Sequence, residues 1–201
     1  MNIQPFIHAL IKNKYSVSSF DTKEEAATYL EANIQGKTVG FGDSQTLQAL
    51  GMHERLAAHN EIHSPMLATD KKDFLARAAK ALHTQIFLTS VNAAAETGEL
   101  INIDGTGNRV AGSLFGHEKV YFVFGINKIE PTVEKAIWRA RNIAAPLNAK
   151  RFGYKTPCAA KADKCYDCDS PERICNGLII HYKKMKNIEM EVILIKENLG
   201  L

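Results

Sequence analysis

The stretch that most constrains this chain is Gln85–Ser90, a continuous apolar strand with no polar face to turn toward water. Such a strand needs cover on both faces, as strands of parallel sheets have. The flanking sequence supplies candidate covers by alternating helical and strand periods. Pro5–Asn13 predicts a helix and Tyr15–Phe20 a strand, and Asp21 or Thr22 caps a helix with apolar positions Ala26, Ala27, Leu30 and Ile34. Lys37–Gly42 predicts a buried strand ending in glycine, after which Asp43-Ser44 caps a helix beginning Gln45-Thr46-Leu47. Glu61–Ser64 predicts a strand, Thr69-Asp70 starts an alanine-rich helix to about His83, and Leu100–Ile103 and Lys119–Phe124 predict further strands.

Pro131–Ala144 predicts a long helix with proline at its start and Ile137, Trp138 and Ile143 in the core, followed by a turn-rich exit at 142–155. Leu178–Tyr182 and Glu191–Ile195 flank a polar turn and predict a hairpin at the C-terminal sheet edge. The expected fold is α/β, a three-layer sandwich around a mainly parallel sheet. One domain over 1–201 is expected, with 156–177 as a small cysteine-rich insertion.

The bulk composition excludes several classes. A length of 201 residues with 45% hydrophobic and 23% charged residues fits one globular domain with a real core. A formal net charge of +3 is too slight to argue for nucleic acid or an anionic membrane. No apolar run is long enough to span a bilayer, and Met1–Ile7 lacks the basic start and apolar core of an export signal. With the four cysteines confined to 158–175, reduced thiols or a metal are favoured over a disulfide framework, and the expected compartment is the cytoplasm.

Three constellations carry candidate chemistry. In Gly40-Phe41-Gly42-Asp43-Ser44 a strand turns into a capped helix, offering backbone N–H groups to a small anion. It lacks the Gly-Lys-Ser/Thr of a phosphate loop and the third glycine of a dinucleotide fingerprint, and a plain strand-to-helix turn explains it equally well. The polar stretch Thr89–Val110 contains Asp104-Gly105-Thr106-Gly107-Asn108-Arg109, where two glycines admit close backbone approach and Arg109 can clamp a carboxylate or phosphate. Glu96 is a candidate base or nucleophile if it is desolvated there, against the simpler reading that Glu96 or Asp104 braces Arg109. His117 is expected to face solvent, to cap, or to reach the pocket mouth.

The third is Cys158, Cys165, Cys168 and Cys175, spaced C-x6-C-x2-C-x6-C. The central C-x2-C can chelate one ion, and the outer pair completes four thiolates for zinc or an iron–sulfur cluster. Free thiols or two disulfides are the bland alternative.

Ser90–Leu100, Asp104–Ala111 and Lys119–Lys128 resemble the LUD domain family, which includes lactate utilisation proteins of the C type. The cysteine segment with Ser170-Pro171-Glu172-Arg173-Ile174-Cys175, and the ending Glu191–Gly200, resemble a short cysteine-bearing bacterial branch of it. The resemblance implies the fold of the ribose-5-phosphate isomerase and CoA-transferase superfamily, with a ligand cleft at Gly42, Asp43 and Ser44. It also implies a part in lactate oxidation beside iron–sulfur oxidoreductase subunits.

The expected function is an accessory, redox-associated subunit that binds a small anionic metabolite and takes part in organic-acid oxidation, with homodimerisation a reasonable default. One alternative is a free-standing enzyme of the CoA-transferase or sugar-phosphate isomerase kind using Glu96. Another is a zinc-stabilised ligand-binding module.

Overall fold

The computed structural model describes residues 2–201. Its centre is a fully parallel six-stranded sheet. The strands are β1 (Ser16–Phe20), β2 (Thr38–Phe41), β3 (Glu61–His63), β4 (Ile86–Thr89), β7 (Lys119–Gly125) and β10 (Glu189–Ile195), in spatial order β1-β10-β7-β4-β2-β3. Side chains alternate between two buried faces, as the unbroken apolar runs demand. Ile86, Leu88, Tyr121, Val123, Ile193 and Ile195 meet α2 (Lys23–Asn33), α3 (Gln45–Ala49) and α4 (Met52–Ala57). Phe87, Val120, Phe122, Phe124, Val192 and Leu194 turn the other way, toward α1 (Gln4–Lys12) and Ala81 of α5 (Lys71–Ala81).

A second sheet, not anticipated from the sequence, joins that face through Ala94 and Leu100. It contains β5 (Ala93–Ala95), β6 (Leu100–Asp104), β8 (Ile129–Glu130) and β9 (Gly177–His181), in the order β8-β5-β6-β9. Its outer face packs Ala93, Ala95, Ile101 and Ile103 on Ala136 and Ala140, both from the helical stretch after Thr132. Three alanines in a row show no alternation of polarity, which is why β5 reads as loop in sequence.

Three expectations need correction. Leu178–Tyr182 and Glu191–Ile195 form no hairpin: β9 pairs antiparallel with β6 while β10 lies between β1 and β7. The burial pattern explains the separation, since β10 is covered on both faces from Met190 to Ile195, whereas Leu178 is exposed at an edge. Helix also continues past 142: α7 (Val133–Arg139) runs through a π-helical turn (Ala140–Ala144) into α8 (Ala145–Arg151). Pro146 cannot donate in a helical ladder, and the widened turn accommodates it. Trp138 is 54% exposed, and Ile137 and Ile143 are only half-buried. The face turned inward is Arg139 with Ala136, Ala140 and Ala144, and the three alanines are small enough to bring the helix close to the sheet.

Candidate functional site

The C-terminal ends of β2, β4 and β7 bring together polar groups from distant parts of the chain, at the sheet edge where open α/β folds hold ligands. β4 ends in buried Thr89 and Ser90, and Val91-Asn92 leads on into β5. β7 leads through a single 3-10 turn to Lys128, whose side chain doubles back beneath that loop. Lys128 is 4% exposed, and its Nζ donates to Val91 O at 3.1 Å, Ser90 Oγ at 3.2 Å and Thr46 Oγ1 at 3.4 Å. No carboxylate pairs with it among the described residues. Burial, reinforced by Arg139 and Arg109, lowers its pKa from the usual lysine value to about 7.

Two guanidiniums surround the same loop. Arg109, from the first turn of α6 (Asn108–Gly112), donates to Asn102 Oδ1 at 2.9 Å, Asn92 Oδ1 at 2.8 Å and Ile103 O. Burial lowers its pKa, opposed by Asp104 and Asp43. Arg139 of α7 donates to Asn92 O, and its nearest carboxylate oxygen is Glu130 Oε1 at 3.8 Å. Buried Lys128 and Arg139 and half-buried Arg109 thus converge on Val91-Asn92, and among the described residues half-buried Glu130 is the one carboxylate within ion-pair distance of any of them. Asn102, 1% exposed, leaves its Nδ2 without a hydrogen-bond partner beside them.

The two glycine-rich stretches meet here. A Cβ on Gly42 would lie 2.8 Å from Arg109 Cγ and 2.9 Å from Thr89 Oγ1, so glycine is what lets the Arg109 stem cross the end of β2. Asp43 and Ser44 flank the cluster but are engaged. Asp43 pairs with Arg151 of α8 at 3.2 Å, and Ser44 caps α3 by accepting from Leu47 N at 3.2 Å. Gly40 belongs to the core instead, pressed on Ala81 O and Thr84.

Asp104 braces its own loop, accepting from Thr106 N at 3.3 Å, Arg109 N at 3.0 Å and Val110 N at 3.1 Å. The Arg109 side chain turns toward the β4–β5 loop, its guanidinium held by Asn92, Asn102 and Ile103. Gly105 packs on Ile174 of the cysteine segment, Thr106 is exposed, and Gly107 takes a left-handed backbone (φ 93°) that starts α6 beside half-buried Asn108.

Glu96 stands apart. It is exposed in the β5–β6 turn, with no side-chain hydrogen bond or ion pair among the described residues. Three strand residues, Ala93–Ala95, separate it from Asn92, so the four steps between them span roughly 13 Å of chain at about 3.3 Å each. The desolvation that a general base would need is absent from its surroundings. His117 is neither solvent-facing nor a cap. It is 5% exposed, stacks on Phe87 at 4.9 Å and shares a 2.6 Å hydrogen bond with Thr84 O through Nδ1.

The outer side of the cluster is covered by the chain's end. Gly200 sits so close that a Cβ there would be 2.7 Å from Thr46 Oγ1 and 3.1 Å from Lys128 Nζ. Gly200 also borders an open groove with Gln45, Gln48 and Ala49 of α3, so the stretch 199–200 separates that groove from Lys128.

The four cysteines are free thiols of intermediate exposure. Among the described residues no three His, Cys, Asp or Glu side chains gather closely enough to hold a metal ion as they stand.

Sequence reasoning missed Lys128, Arg139, Thr46, Ser90 and Asn92 as partners. A signal for Arg139 existed in Ala136, Ala140 and Ala144, whose four-residue spacing marks the inward face.

The comparisons agree with this architecture. The family profile described as LUD domain matches residues 3–195, and the chain belongs to the LUD domain family. Among solved structures it is similar to a DUF162 family protein from Deinococcus radiodurans, at 13% identity, covering 96% of this chain and 95% of that one with a TM-score of 0.50. No curated protein gives a significant match. Among the described residues no helix is long and apolar enough to cross a membrane.

Proposed function

We propose that this LUD domain protein binds a small organic anion at the Arg109–Lys128–Arg139 cluster, as an accessory subunit of organic-acid oxidation, with lactate or its 2-oxo product the first ligands to consider. The observation that supports this reading is the convergence of Lys128, Arg109 and Arg139 on Val91-Asn92, where among the described residues the one carboxylate within ion-pair distance is Glu130, 3.8 Å from Arg139. Burying a cation without a counter-charge is costly, and a bound carboxylate offsets that cost. The ligand would approach by the groove at Gln45, Gln48 and Ala49 as the 199–200 stretch shifts aside. The neutral Asn102 amide, with its free Nδ2, and the Ser90 and Thr46 hydroxyls suit a hydroxy- or oxo-acid better than an apolar acid.

Calorimetric titration with lactate, pyruvate and inorganic phosphate tests this. Binding of at least one organic acid is expected, weakening at least tenfold in Lys128→Met, with proton uptake above about pH 7 as the anion recharges the lysine. No binding at millimolar concentration, or equal binding by the variant, would sink the reading. The redox association is tested by affinity capture of the tagged chain from lactate-grown cells, which should recover iron–sulfur oxidoreductase subunits.

A further inference from the structure

The segment between α8 and β9 carries chemistry that the anion site does not use. Past α9 (Pro157–Lys161) the chain forms no helix or strand until β9, and no side chain from Ala160 to Ile180 is buried. Long structureless stretches of this kind in a compact domain usually have a functional reason. Here the segment lies against α7 and the π-helical turn, and together they form a groove of about 360 Å³, the size of a small-molecule site. Glu134 and Trp138 line it from α7, Arg141 and Asn142 from the turn, and Cys165 and Asp167 from the segment.

Cys165 is the one of the four free thiols that lines this groove. Its backbone N–H donates to Asn142 Oδ1 at 3.1 Å, which fixes it to the groove wall. Two donors face its sulfur, the Asp167 N–H at 3.3 Å and Arg141 Nη2 at 3.9 Å. A half-buried sulfur beside a guanidinium is the setting of reactive cysteines, whereas structural ones are buried in apolar surroundings. The Asp167 contact also closes Cys165-Tyr166-Asp167-Cys168 into a tight turn, with Asp167 in the left-handed region (φ 45°). Arg173 holds the far end of that turn by donating to Cys168 O at 2.6 Å, which keeps a second thiol beside the first. The groove carries both signs of charge. Arg141 pairs with Asp167 at 3.3 Å, but Asp167 has a second guanidinium in Arg173 at 3.2 Å, so Arg141 can turn to a ligand without stranding it. Exposed Glu134 supplies a carboxylate for a cation, and the Trp138 ring an apolar wall.

We propose that the groove binds a small amino-acid-type disulfide, its carboxylate on Arg141 and its ammonium on Glu134, and that Cys165 and Cys168 reduce it. The Cys165 thiolate attacks one sulfur of the ligand, forming a mixed disulfide and expelling half of the ligand as a thiolate. The Cys168 thiolate then attacks Cys165 Sγ and expels the other half. The cysteine pair is oxidised by two electrons to a Cys165–Cys168 disulfide, and the ligand is reduced to two thiols. The protons lost by the two cysteines pass through solvent to the two released thiolates. The proposal does not depend on the anion site.

The test uses the full chain, reduced and then freed of reductant, with oxidised glutathione as the probe. Wild type should lose two hydrogens in mass and release two thiols, and Cys165→Ser should exchange far more slowly. Cys168→Ser should stop at one glutathione adduct, located on Cys165 by peptide mapping. Trp138 is the chain's single tryptophan, so its fluorescence should change as that adduct forms. Arg141→Ala should slow exchange with oxidised glutathione roughly tenfold more than exchange with cystamine, which has no carboxylate. All three side chains are half-buried or exposed, so the far-UV circular dichroism should be that of wild type. No exchange at millimolar oxidised glutathione, an adduct formed first on another cysteine, or equal slowing with both probes overturns the proposal.

Discussion

The cation cluster and the cysteine lobe are both rich in polar chemistry, yet they are built on opposite physical terms. Around Val91-Asn92, charges are fixed by packing: Lys128 and Arg139 are buried, and strands and helices of both sheets pin each donor. In the lobe nothing from Ala160 to Ile180 is buried, and arginine contacts at half-exposed positions do the holding. In a buried network, removing a donor leaves its partners desolvated, a cost offset only where the donor's own charge was buried unpaired. An exposed one tolerates loss, because water replaces each partner. The first region is therefore expected to set more of the domain's stability than the second.

Substitutions sharpen or break that contrast. Arg109→Ala should have the largest effect, leaving Asn92 Oδ1, Asn102 Oδ1 and Ile103 O buried without their donor. A loss of roughly 3 kcal/mol or more is expected in urea unfolding. A loss below about 1 kcal/mol would show that the cluster is not the rigid network described.

Lys128→Met should behave differently, since the lysine has hydrogen bonds but no counter-ion. Replacing it with an apolar side chain of similar length should be neutral or stabilising by up to about 4 kcal/mol. Its pH signature has a definite sign. Between about pH 7 and its ordinary value of 10.5 the folded state holds Lys128 neutral while the unfolded chain keeps the proton. Unfolding then takes up a proton, so wild-type stability rises with pH from about 7 to 9, and the variant should lose that rise. Buried His53, His117 and His181 have pKa values lowered by burial, so both proteins should lose stability as pH falls below about 6.5. Equal slopes above pH 7 in the two proteins would show that Lys128 is hydrated.

Gly42→Ala should cost about 1–3 kcal/mol by pushing on the Arg109 stem and Thr89, read as a shifted denaturation midpoint. At the small end, Cys165→Ser/Cys168→Ser in metal-free protein should change stability by no more than about 0.5 kcal/mol. A larger cost would mean that the lobe is part of the cooperative core after all.

Much of the central sheet was legible because its strands are continuous apolar runs and its helices carry caps at the expected places. Thr22, Ser44 and Asp70 each accept the capping hydrogen bond that starts a helix. The second sheet was hidden because Ala93–Ala95 and Ile129-Glu130 are too short and uniform to show a period. In the site, the glycine turn and Arg109 were visible because glycines and a lone arginine stand out locally. Their roles were not, since Asp104, which caps the loop, and Asn92, which receives Arg109, act through partners set by the fold. Trp138 misled because an aromatic at helical spacing suggests core, whereas the alanines beside it are what packing selected.

The sequence by itself determined the α/β class, the family and the positions of the thiols, because periodicity, local motifs and residue identity are properties of neighbouring residues. Tertiary structure decided which strands share a sheet, that Glu96 stands in water, and that Lys128 and Arg139 join Arg109 at the end of β4. Burial and electrostatic coupling depend on residues that are remote in the chain and adjacent only once the core has closed.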